Sequence, residues 1–191
     1  MYVYHGSNSC FKQLRISKEL VKYESTMNNE GLGVYFSTIL DVAASYGKYI
    51  YIIEVNDRVV YDFTKRKVCE RFINAIAAEV YLKCGVNIRD ILGSEAVNSL
   101  TTYMHCGGIS IYGLDREINL LLDSTEEWYT SYSESRRRSV LSCVSKYIKN
   151  QLLVYLFTYN IKDVGIIKRL DPSYVKLVQR INTYTGEKKI Y

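Results

Sequence analysis

Proline is almost missing from this chain: Pro172 stands alone among 191 residues. That excludes proline-rich linkers and polyproline recognition segments. Histidine is nearly as scarce, with two residues, and none of the five cysteines (10, 69, 84, 106 and 143) pairs with another at C-x-x-C spacing. So few thiol and imidazole groups, so widely scattered, exclude a zinc-ribbon pattern and argue against a disulfide framework. The thiols are expected to be reduced, as in a cytoplasmic protein without a metal centre. Long apolar runs are lacking too. The longest, LLVYLF at 152–157, is far short of the ~20 residues a membrane helix needs. Met1–Cys10 shows no basic segment followed by an apolar one, so no signal peptide is expected. No internal repeat or low-complexity segment is visible.

What the chain does have is an ordinary globular balance, 48% hydrophobic and 24% charged, with 19 tyrosines. Its net charge of +5 is unevenly spread. Residues 1–134 carry 13 basic and 17 acidic side chains, whereas 135–191 carry 12 basic and 3 acidic. A basic C-terminal part is compatible with a polyanionic partner, and equally with a solvated basic helix around Arg136–Arg138.

Residues 2–5 read as a strand that enters a turn at Gly6-Ser7-Asn8. A polar loop through Asn28-Asn29-Glu30 leads to Gly31 and Gly33, and Val34–Ser37 is strand-like. Ser37 or Thr38 can cap a helix over 39–47 that ends at Gly47. The run YIYIIEV, 49–55, predicts a buried strand. Apolar residues at helical spacing from Val68 to Tyr81 predict a helix stopped by Gly85. A second follows from Asn87 to Gly107-Gly108. After a strand-like ISIYG (109–113), Ser124-x-x-Glu127 forms a capping box for a long helix reaching Asn150. Strands return at 152–159, 164–170 and 174–181, with Asp171-Pro172-Ser173 as a turn. The expected fold is α+β, one domain over 1–191 with a helical insert at about 66–150.

Three short stretches carry chemistry. They are Tyr4-His5-Gly6-Ser7, then Gly31-Leu32-Gly33-Val34-Tyr35-Phe36-Ser37-Thr38, and Ala43-Ala44-Ser45-Tyr46 on the following helix. Together they describe a pocket for a flat, polar ring. Gly6 lets a ligand amide reach the main chain, His5 offers a ring N–H to a sugar hydroxyl, and Tyr35 and Tyr46 supply faces for stacking.

In that order these stretches resemble the ADP-ribosyltransferase superfamily, in its diphtheria-toxin-like and poly(ADP-ribose)-polymerase-like branch. The likeness covers residues 2–55, and the remainder only through element order. It implies a split β-sheet core and NAD+ as co-substrate, without a metal. His5 would hold the nicotinamide ribose, Gly6 would grip the carboxamide, and Tyr35 and Tyr46 would sandwich the ring. Ser7, Phe36 and Ser37 would complete the binding site. The family's catalytic Glu has no match here: its place before Tyr174-Val175 holds Ser173. Asp171 is the nearest substitute, with Glu117, Glu126, Glu127 and Glu187 as alternatives. The resemblance implies a toxin-type mono-ADP-ribosyltransferase acting on RNA or DNA through the basic C-terminal part, or on a protein. An antitoxin or inhibitor protein would be a further partner. A non-catalytic NAD- or partner-binding module and a plain NAD glycohydrolase are the competing readings.

Overall fold

The computed structural model describes residues 1–16, 30, 32–159 and 162–191. Gly31 and the loop residues Asn28 and Asn29 lie outside the described residues. The chain divides into two compact units, one of Met1–Tyr61 with Leu153–Tyr191 and the other Asp62–Leu152. It is a mixed α+β fold with two sheets and interspersed helices.

Among the described residues, eight short strands and one short helix build the first unit. They are β1 (Tyr2–Ser7), β2 (Val34–Phe36), α1 (Leu40–Ala44), β3 (Tyr49–Val55), β4 (Val60–Asp62), β5 (Val154–Tyr159), β6 (Lys162–Ile167), β7 (Val175–Asn182) and β8 (Lys188–Ile190), with Asp62 at the end of β4 counting in the second unit. They form two four-stranded sheets, ordered β1-β3-β7-β8 and β2-β6-β5-β4. The uninterrupted β-rich run of β3 is explained by its place between β1 and β7, with its bonds satisfied on both edges. Val3, Ile53, Val55 and Val175 from the first sheet meet Val34, Phe36, Val154, Leu156 and Ile167 from the second in a shared core. Phe36 can lie flat there only because Gly165, its partner on β6, has no side chain: an added Cβ would sit 2.1 Å from the ring.

The second unit holds helices α2 (Arg66–Cys84), α3 (Ile88–Cys106), α4 (Leu114–Asp123), α5 (Glu126–Thr130) and α6 (Glu134–Gln151). Gly85 and Gly107 end α2 and α3 in left-handed conformations, with φ of 61° and 72°, as expected of C-terminal glycines. Gly93, at φ 74°, kinks α3.

Several expectations change. The helix after β2 covers only Leu40–Ala44, and Gly47 does not cap it. Gly47 is small because the Ser7–Asn8 main chain crosses it; an added Cβ would lie 2.2 Å from the Ser7 carbonyl carbon. The segment 109–113 is a turn, not a strand, with Ile111 buried as a core plug. The long capped helix is two, because the Ser124 hydroxyl turns back to the Leu121 carbonyl (2.7 Å) and Ser133 caps α6 instead. Strands β4 and β8 were not foreseen.

The basic C-terminal part is shared between the units, and its arginine run is occupied locally. Arg136 donates to the carbonyls of Cys84 and Gly85 at the end of α2, Arg137 donates to that of Tyr132, and Arg138 pairs with Glu134. Asp62–Leu152 holds 12 basic and 11 acidic side chains, the other unit 13 and 9. Cys10 and Cys106 are exposed, while burial holds the Cys69 thiol up at about 11. No helix among the described residues is long and apolar enough to cross a membrane.

Candidate functional site

Strands β1 and β2 touch through one bridge, in which Tyr4 and Ser37 exchange both main-chain bonds at 2.8 Å. Main-chain groups of alternate residues in a strand point to the same edge. The N–H and C=O of Gly6 therefore point the same way as those of Tyr4, away from β3 and toward β2. Continuing the bridge register would set Gly6 against Tyr35. It does not continue: the bridge is isolated, and the Tyr35 carbonyl accepts from Nδ1 of His5 at 2.6 Å. The ladder stops there, leaving the Gly6 amide and carbonyl turned toward β2.

That bond fixes the chemistry of His5. A carbonyl oxygen can only accept, so Nδ1 carries the proton and in the neutral ring Nε2 is the acceptor. The Nδ1–H is thus spent on Tyr35, where the sequence reading had His5 offer a ring N–H to a ligand. His5 is only 8% exposed. Tyr51, its partner on β3, stacks on Phe11 with centroids 3.8 Å apart. The Tyr51 hydroxyl accepts from the Phe11 amide and donates to the Ser9 carbonyl, pinning the loop after β1 beside His5.

Gly6 also has a packing reason to be glycine. An added Cβ would fall 1.9 Å from the Ala43 carbonyl oxygen and 3.0 Å from Cβ of Tyr46. Tyr46 thus stands directly over Gly6, and it is 45% exposed. The Tyr35 main chain meets His5, and Tyr46 meets Gly6, on opposite faces of β1.

The remaining candidates are placed differently. Phe36 is a core residue, 3% exposed. The Ser37 hydroxyl accepts from the Ile39 amide, and the Ser7 hydroxyl from that of Ser9, so both shape turns. Gly33 lies tight against Ile166, where an added Cβ would be 2.4 Å from the side chain. Asp171 is not with the others. Val175 pairs with Val55, whereas Gly6 pairs with Ile50, and five residues of strand span about 17 Å. The Asp171 carboxylate accepts from the Ser173 amide (2.9 Å) and hydroxyl (2.7 Å), which holds it below the usual carboxylate range. It closes its own turn at the far end of the sheet.

Comparison with known protein families, curated proteins and solved structures returned no match.

A buried polar knot escaped the sequence reading. Glu30, 3% exposed, accepts from the Tyr155 hydroxyl at 2.8 Å, while Nζ of Lys168 donates to the Glu30 main-chain carbonyl at 2.6 Å. Partners 125 and 138 residues away leave no local signal. Burial lowers the Lys168 amine to about 8 against the Glu30 charge, which acts to raise it. Between pH 8 and 10.5 the unfolded chain therefore holds a proton that the folded one has released, so stability rises with pH across that window. Denaturant titrations from pH 8 to 10 should show the parent gaining on Lys168→Met. Tyr51, raised to about 12 by burial, is common to both proteins and cancels. Parallel pH profiles would contradict the depressed amine.

Proposed function

We propose that this chain cleaves NAD+ at the nicotinamide–ribose bond and passes ADP-ribose to a macromolecule, RNA or DNA in preference to protein. The observation behind this reading is the interrupted β1·β2 ladder. It turns a glycine amide and carbonyl toward β2, with Tyr46 over one face of β1 and the Nδ1-protonated His5 on the other. A carboxamide is the ligand group that can donate to one and accept from the other. The pyridinium ring would lie against Tyr46, and Nε2 of His5 would accept from a ribose hydroxyl. The C–N bond breaks with its electron pair leaving on nicotinamide, and an acceptor oxygen or nitrogen bonds to the anomeric carbon and releases its proton. The electron-rich Tyr46 face supports a ring while it is still cationic.

One observation favours a second reading, a non-catalytic NAD-binding module. Asp171, the nearest substitute for the absent Glu, is spent on its own turn.

Calorimetry and a nicotinamide-release assay test both. Tyr46→Ala, at a site already exposed, should fold normally and bind NAD+ more weakly by about 1–2 kcal/mol. Asp171→Asn should release nicotinamide within a factor of two of the parent. Unchanged NAD+ affinity in folded Tyr46→Ala would remove the pocket assignment. NAD+ binding without nicotinamide release, alone or with cell lysate, would select the module.

A further inference from the structure

The face of the first sheet that carries His5 and Tyr51 continues across β7 onto β8, and there its character changes. Arg180 on β7 pairs with Tyr51 on one side and with Lys189 on the other. Like charges placed directly opposite one another destabilise a sheet. Here the only carboxylate near them among the described residues is Glu187, loosely placed 3.9 Å from Arg180. The Nε of Arg180 is buried without a partner. Aromatic rings alternate with these cations. Lys48 lies 5.6 Å from the Tyr49 ring and 5.8 Å from that of Tyr184, Arg180 lies 5.3 Å from Tyr49, and Lys189 lies 5.6 Å from Tyr191. Tyr184, at the tip of the β7–β8 hairpin, is 80% exposed, and Lys189 is exposed.

We infer that this surface binds single-stranded nucleic acid, with bases stacked on the exposed tyrosines and phosphates on the lysines. Three cations, Lys48, Arg180 and Lys189, against one carboxylate call for a polyanion, and sequence-tolerant ring faces beside them are what unpaired bases stack on. A duplex hides its base faces and could use only the charges. The surface adjoins the proposed NAD site: Lys48 follows Tyr46 by two residues, and its amide donates to Asn8 in the loop after Ser7. It would hold the acceptor strand beside the ribose, which deepens the transfer reading and rests on it only for the chemistry.

Fluorescence anisotropy with a labelled 12-nucleotide oligouridylate, without NAD+, tests the surface alone. We expect a salt slope of about −2, from roughly three phosphate contacts, and weaker binding to a duplex of equal length. Tyr184→Ala should weaken oligonucleotide binding about tenfold, and Lys189→Ala should flatten the slope to about −1.4. All these positions are exposed, so the variants should keep the parent's melting temperature and NAD+ affinity. No binding, an equal preference for duplex, unaltered binding by the variants, or binding to phosphatidylserine vesicles but not to the oligonucleotide would each overturn the inference. A parallel incubation with labelled NAD+ separates the two proposals. Oligonucleotide bound but unlabelled would refute transfer while the surface stands, and label entering protein without oligonucleotide binding would refute the surface.

Discussion

Gly6→Ala should cost about 3 kcal/mol of stability, and more if β1 cannot shift. In a chain of this length that lowers the melting temperature by about 6–12 °C. The added methyl would be placed 1.9 Å from the Ala43 carbonyl oxygen. This is a main-chain atom, so no rotamer change removes the overlap. Either α1 lifts from the sheet or β1 moves, and β1 is held by six paired residues of β3. Thermal denaturation with and without NAD+ separates the two reasons for this glycine. The packing cost shows in the protein alone, whereas the proposed carboxamide grip shows as a loss of the NAD+-induced rise in melting temperature. A variant as stable as the parent would mean that α1 does not bear on Gly6 as described.

The two roles of Gly6 show what the sequence could and could not say. Strands β1 and β2 were legible from strong local patterns, while the packing of Ala43 and Tyr46 on Gly6, just past the end of α1, was not. The run Tyr49–Val55 became a strand with those bounds, since β-branched and aromatic residues suit a strand paired on both edges. Gly85 and Gly107 ended their helices because left-handed backbone favours glycine. Where local pattern was ambiguous, tertiary packing decided. ISIYG has strand composition, yet Ile111 and Leu114 are drawn into the core of the helical unit, and the chain turns there into α4. The box at Ser124 failed because a serine hydroxyl can bond backward to its own helix as readily as forward to the next. Asp171 was read as an acid from its place in the chain order, and register sets it at the other end of the sheet from Gly6. The knot of Glu30, Tyr155 and Lys168 joins residues far apart in sequence, and only folding brings them into contact.

Phe36 gives the sharpest contrast between pocket and core. As a ring contacting a ligand it would be removable at small cost to the fold, with NAD+ affinity falling instead. As a core ring over Gly165 its loss to alanine should cost about 4 kcal/mol. Gly165→Ala should cost about 2–3 kcal/mol, because the new methyl meets three ring atoms within 2.7 Å and the ring has no room to turn. The two changes should not add. With the ring gone, the methyl at 165 enters the space it left, so the double variant should recover about 2 kcal/mol relative to the sum. Urea titrations of the parent, both single variants and the double variant complete the cycle. Equal denaturant slopes would show that all four unfold between comparable states. Strict additivity would mean that the ring does not rest on Gly165. A stable Phe36→Ala with weakened NAD+ binding would return this residue to the pocket where its place in the Gly-x-Gly-x-Tyr-Phe stretch first put it.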